Sequence, residues 1–144
     1  MNDQRLGAWT PQMLSILRIV SGLIFLEHGM QKFLSFPPGQ SAGIGLALDT
    51  PAAYAGIVEF VAGLLITLGL FTRPAAFLAS GTMAVAYWIA HAPQDVFPVN
   101  NGGDAAILYC FVFLYLVFAG PGPWSIDAAR TARARMSPAR GARG

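Results

Sequence analysis

The chain has 144 residues, 55% of them hydrophobic and 11% charged, with a formal net charge of +2 and a mean hydropathy of +0.54. Soluble domains carry about 25% charged residues, so too few polar groups remain here to cover a water-facing surface, and the composition is that of a single-domain integral membrane protein. The lone cysteine, Cys110, excludes an intrachain disulfide, a CxxC redox pair and a cysteine metal cluster.

Four apolar runs follow one another. The first extends from about Pro11 to Phe33. It is longer than a signal-peptide core and contains Arg18 and Glu27, so it reads as a retained first span. The second runs from Ala52 to Phe71, the third from Pro74 to Ala90 and the fourth from Asp104 to Ala119. Each holds roughly 16–23 residues, close to the ~20 that cross a bilayer core. The third and fourth are short, which calls for tilt or local thinning. The prolines all lie at or outside the ends of these runs, as a residue without an N–H requires. Alternation of polar and apolar residues is absent, so the spans are helices rather than barrel strands. An all-α, antiparallel four-helix membrane bundle over residues 1–127 is expected, followed by a basic, mobile tail over residues 128–144.

Basic residues set the expected orientation. Arg5, Arg73 and the tail arginines Arg130, Arg133, Arg135, Arg140 and Arg143 belong to the N-terminus, the second connection and the C-terminus. The loops Leu34–Pro51 and His91–Gly103 contain no Lys or Arg. Both termini are therefore expected in the cytoplasm. Trp9 and Trp124 then mark the inner boundary, with Tyr54, Tyr87 and Trp88 toward the outer one. Small residues form seams for close helix approach: Gly22 and Gly29 on the first span, Gly56 and Gly63 on the second, and Ala76, Ser80 and Ala84 on the third. Gly39–Gly45 reads as an outer loop. The arginine-rich tail fits topology and attraction to anionic lipid, and no nucleic-acid partner is expected.

The depth of the ionisable groups raises the functional question. Glu27, His28 and Lys32 lie in the outer half of the first span. Glu59 sits about 10 Å below the outer end of the second at 1.5 Å per residue. His91 closes the third span, and Asp104 opens the fourth after Asn101-Gly102-Gly103. Charges inside a membrane cost ~2.5–3.5 kcal/mol each and face a bundle interior or a cavity. A shared polar pocket in the outer half is therefore expected, drawing on Glu27, His28, Lys32, Glu59, His91, Asn101 and Asp104. Arg18 lies deeper and is kept as a candidate that either reaches this pocket or ties helices through backbone carbonyls. Asp104 is also suited to a helix N-cap. His28 and His91 match no metal-ligand spacing, so no metal is expected. There is no phosphate loop or dinucleotide fingerprint, and no cofactor carried by the chain itself is evident.

Several stretches together resemble the DoxX family of small bacterial four-helix membrane proteins. They are Leu17-Arg18-Ile19, His28-Gly29-Met30-Gln31-Lys32, Glu59 with Ala62-Gly63, Gly69-Leu70-Phe71-Thr72-Arg73, His91-Ala92-Pro93, Asn101-Gly102-Gly103-Asp104, and Phe118-Ala119-Gly120-Pro121-Gly122-Pro123-Trp124-Ser125-Ile126-Asp127. They span the chain from about Leu14 to Asp127. Asp104 departs from the pattern, where the family more often has Glu. The resemblance implies a bacterial inner-membrane protein. It also implies a link to terminal quinol oxidase, thiosulfate:quinone oxidoreductase or oxidative-stress systems, without fixing a reaction. Three functions stay open. The first is a redox-associated subunit with a pocket for a quinone or another small amphipathic ligand. Such a pocket would be lined by aromatics such as Phe25, Phe60, Tyr87 and Trp88, with a redox-protein partner. The second is a scaffold subunit whose charges fix helix pairing, and the third is a small transporter acting as a homo-oligomer.

Overall fold

The computed structural model describes residues 3–44 and 48–136, and these residues are helices joined by turns, with no strand among them. A short helix, α1 (Asp3–Gly7), leads into α2 (Thr10–Leu34), whose second residue is Pro11. At 1.5 Å per residue, the 25 residues of α2 reach about 37 Å. It stops where Ser35 takes a left-handed conformation just before Pro37 and Pro38. Helix α3 (Pro51–Leu68) starts on the Thr50 side chain, which accepts from the Ala53 N–H, and Pro51 fills its first turn. It ends at Gly69 with φ 65°. There Gly69 N–H donates to Ile66 O and Leu70 N–H to Leu65 O, the paired bonds of a Schellman cap.

Helix α4 (Thr72–Ala86) continues without a break into a π-helical turn, Tyr87–His91. A four-residue helix, α5 (Pro98–Asn101), precedes α6 (Asp104–Ala119), and α7 (Ile126–Met136) follows. The expected runs and the observed helices agree to within a few residues, and α6 has the expected bounds. The tail, expected to be basic and mobile from residue 128, is helical through Met136, and residues 137–144 lie outside the described ones. The Gly39–Gly45 loop is a run of turns through Ile44, and its last residue also lies outside the described ones.

Helices α2 and α3 pack along each other, α3 along α4 and α4 along α6, while α2 meets α6 through larger side chains, Phe25 against Phe113 and Tyr109. The α2–α3 seam is the glycine pair read from the sequence. A Cβ on Gly29 would stand 2.4 Å from the Phe60 nitrogen, and one on Gly63 2.7 Å from that of Leu26. Only glycine permits this approach. Between α4 and α6, buried Ser80 donates to the Cys110 carbonyl at 2.8 Å. The core is aromatic and small: Phe25 and Phe113 meet edge to face at 4.8 Å around Ala62, Ala76, Ala79 and Ala106. Large apolar side chains point outward instead, among them Ile24, Val61, Phe77, Phe111 and Phe118. Helices α2 and α3 are long and apolar enough to cross a membrane.

Candidate functional site

The two ends of this packing use their polar groups in opposite ways. At the end carrying the α3–α4 turn, Arg18 is fully buried. Its guanidinium donates to the carbonyls of Pro121 (2.7 Å), Ile66 (2.5 Å), Thr67 (2.6 Å) and Trp124 (2.5 Å). It thereby closes the C-terminus of α3, where carbonyls lack intrahelical donors and the dipole is negative. Arg73 does the same for α6, donating to the carbonyls of Val117 and Phe118. Asp127 takes the complementary position at the start of α4. Its carboxylate accepts from Phe71 N–H (3.0 Å), Thr72 N–H (2.9 Å) and the Thr72 hydroxyl (3.0 Å). Desolvation pushes the Asp127 pKa up. The hydrogen bonds from Thr72 and Phe71 and the charge of Arg130 outweigh it and hold the carboxyl below its ordinary range. Phe71, held at φ 49°, is fixed by this cap and by Arg130 lying 5.6 Å over its ring. The Gly69–Arg73 and Gly120–Asp127 motifs thus form a latch made of side chains bonded to backbone.

Arg18 therefore does not join the pocket expected of it. It takes the other role considered for it, tying helices through backbone carbonyls.

At the opposite end the helices leave a cleft of about 940 Å³. Its floor comes from Phe25, Lys32, Glu59 and Tyr109, and its walls from α3 and α4, with exposed Tyr54, Phe77, Leu78, Val85 and Ile89. Glu59 is buried, and the Lys32 ammonium lies 2.7 Å from each of its carboxylate oxygens. The lysine stem crosses Gly56, where a Cβ would meet Lys32 Cδ at 3.0 Å. His28 also lines the cleft, its ring edge-on to Tyr109 at 6.1 Å. His91 lines the mouth from the π turn, a distortion that recurs at functional sites. Its Nδ1 lies 3.0 Å from the Asn101 carbonyl, which can only accept. In the neutral ring Nδ1 therefore holds the proton and Nε2 the free lone pair.

His28, Lys32, Glu59 and His91 are thus brought together, and the other expected residues are not. Glu27 is exposed and outside the cleft. Asn101 is buried behind His91, where its side chain donates to Asp95 O and accepts from Gly103 N–H, bracing the loop. Asp104 is exposed and makes no capping bond. Gly103 occupies the N-cap position, which leaves Asp104 as the first helical residue, favoured there by the dipole alone. Of the expected aromatic lining only Phe25 is present. Phe60 packs against Gly29 in the seam, Tyr87 against Gly103, and Trp88 is 72% exposed.

Tyr109 and Asp49 line the cleft and were not expected to. The signal for Tyr109 was present: it lies four residues before Phe113 on the same helical face, a hydroxyl inside an otherwise apolar run. Asp49, at the rim, carries no comparable sequence signal.

The sequence pattern named DoxX matches residues 13–92, from α2 through the π turn. An uncharacterized protein of Haemophilus influenzae is 43% identical over 125 residues, covering 85% of this chain and 93% of its own length. An uncharacterized membrane protein of Mycobacterium tuberculosis is 32% identical over 159 residues, covering 94% and 91%. The inner membrane protein YphA of Escherichia coli is 34% identical over 134 residues, covering 84% and 92%. No solved structure matches the chain. With the pattern spanning more than half of the sequence and these relatives covering nearly all of it, the chain belongs to the DoxX family of membrane proteins.

Proposed function

We propose that the protein is a four-span antiparallel bundle of the bacterial inner membrane. In this reading the cleft opens in the extracytoplasmic half, takes a quinone-like amphipathic ligand, and serves a redox partner protein. Residues 1–127 are the membrane domain, with α2, α3, α4 with its π turn, and α6 as the spans. Arg73 and the α7 arginines lie at the latch end, and the loops at the cleft end lack Lys and Arg, which supports placing the latch and both termini in the cytoplasm. The observation that carries the ligand reading is the cleft itself. It is an apolar-walled space of about 940 Å³, within the range of small-molecule sites. Its walls expose Phe77, Leu78 and Val85 to the lipid side, so a hydrocarbon tail can lie between α3 and α4 while its head reaches Lys32, Glu59, His28 and His91.

The test uses the full chain in phosphatidylcholine nanodiscs, titrated with a decyl-substituted benzoquinone and followed by intrinsic fluorescence quenching. Gly81 lines the cleft, and an added Cβ there meets nothing within 4 Å, so Gly81→Phe brings a ring into the lining from a position whose Cβ has open space. The expected result is saturable quenching in the wild type, lost in Gly81→Phe at unchanged thermal stability. Equal binding by both proteins refutes the reading. A scaffold function is favoured by a different observation, the commitment of Arg18 to four backbone carbonyls, and it is the reading left standing if no quinone binds.

A further inference from the structure

We propose that the Lys32–Glu59 pair is a charge filter: it makes the cleft select amphipaths with neutral, hydrogen-bonding heads and reject those headed by carboxylate or phosphate. This rests on the reading of the cleft as an amphipath site and names the class of head group it accepts.

The argument is a census of the polar groups in the lining. Among the described residues Lys32 is the sole lysine or arginine there, and both Glu59 oxygens hold its ammonium at 2.7 Å. A ligand anion must therefore compete with a buried carboxylate already in place, and must leave Glu59 uncompensated if it succeeds. That exchange is costly where both partners are desolvated. Among the described residues no arginine lines the cleft, and Asp49 adds a negative charge at its rim. The neutral polar groups are the free ones. The Tyr109 hydroxyl and the His28 ring have no hydrogen bond within the described residues, and His91 keeps Nε2 available with Nδ1 engaged by Asn101. A hydroxyl or carbonyl head can exchange bonds with these groups without disturbing a charge.

The experiment compares two spin-labelled amphipaths of equal chain length, stearyl alcohol and ionised stearate, on the full chain in phosphatidylcholine nanodiscs at pH 8. The immobilised fraction is read by electron paramagnetic resonance. The wild type is expected to retain the alcohol and disfavour the carboxylate. Glu59→Gln frees the ammonium and is expected to raise carboxylate retention about tenfold, reversing the preference. Lys32→Gln with Glu59→Gln removes both charges and is expected to abolish that gain. Wild-type retention of stearate equal to or above that of the alcohol overturns the proposal, and this comparison needs no variant to fold. An unchanged preference in a folded Glu59→Gln protein overturns it as well. If neither probe is retained by any protein, the amphipath reading itself fails along with the filter.

Discussion

Replacing Arg18 by Met should be among the most damaging single changes in the chain. The side chain is fully buried and supplies donors to four carbonyls. Among the described residues only Ile66 O has a second donor, the Gly69 N–H, so Thr67 O, Pro121 O and Trp124 O are left without one. A buried acceptor stripped of its partner costs about 1–3 kcal/mol, and water entering the vacated space recovers part of that. A net loss of about 3–5 kcal/mol follows from the three stranded acceptors. Arg18→Lys keeps a cation but not the planar fork, and a compact ammonium with three donors reaches fewer of the four acceptors. The expected order of stability is wild type, then Arg18→Lys, then Arg18→Met. Thermal unfolding of the detergent-solubilised protein gives the order. Limited proteolysis tests its location, because release of Pro121 and Trp124 should expose the segment between α6 and α7 first. Equal melting of Arg18→Met and wild type refutes the claim that this guanidinium holds the latch.

Asp127 predicts a pH dependence at the same end. Its folded pKa lies below the unfolded one, so its contribution is complete above the ordinary carboxyl value of 3.8 and is lost as pH falls through the folded pKa. Asp127→Asn should lower stability at pH 7 and flatten the acid limb of a melting-temperature profile, and an identical acid limb counts against the cap. In the α2–α3 seam, Gly29→Ala places a methyl 2.4 Å from the Phe60 nitrogen, a backbone atom that cannot swing aside. The helices must part, at a cost of about 1–3 kcal/mol. Gly81→Ala, with open space around it inside α4, is the matched control and should not lower melting, since Ala is favoured over Gly in a helix by about 0.5–1 kcal/mol.

The features legible in the sequence were those fixed by local chemistry. Proline and glycine positions mark the helix ends because φ restriction acts within one residue. The Gly22/Gly29 and Gly56/Gly63 spacing marks the seam because a 3.6-residue period carries each pair to one face. Glu59 announced a buried partner because a carboxylate that deep in an apolar run is too costly alone. Partners were harder to read. Lys32 pairs with Glu59 on α3, reached across Gly56, and nothing within its own helix announces that partner. Depth along a span gave the height of Glu27 and Asp104 but not their direction, and both point away from the cleft. Asp104 also shows how one residue of register changes a role: Gly103 holds the N-cap position, so the aspartate loses the capping geometry. The helical start of the tail was hidden because α7 has little apolar face of its own. It is anchored by long-range bonds, Asp127 N–H to Gly69 O at 2.9 Å and the Asp127 carboxylate to the α4 terminus.

The latch bears directly on the cleft, although it lies at the other end. Helices α3 and α4 are joined by a turn of only a few residues, whose conformation is fixed by the Gly69 cap, by Asp127 on Phe71 and Thr72, and by Arg18 on the last carbonyls of α3. Near that turn α4 is closely packed, with Ala75, Ala76 and Ala79 buried. Further along, Gly81, Val85 and Ile89 stand in the wall of the cleft. The expected consequence is that a changed angle at the turn alters how far the walls stand apart at the mouth, as in a hinge pinned at one end. Arg18, Arg73 and Asp127 are spent on backbone groups at the latch, so the cleft retains the mutually satisfied Lys32–Glu59 pair, Asp49 at its rim, and neutral side chains with unused hydrogen-bonding capacity. A mutation in the latch that leaves the chain folded should then weaken ligand retention without touching the cleft, whereas filling the cleft at Gly81 should leave the latch, and the melting temperature it sets, unaltered.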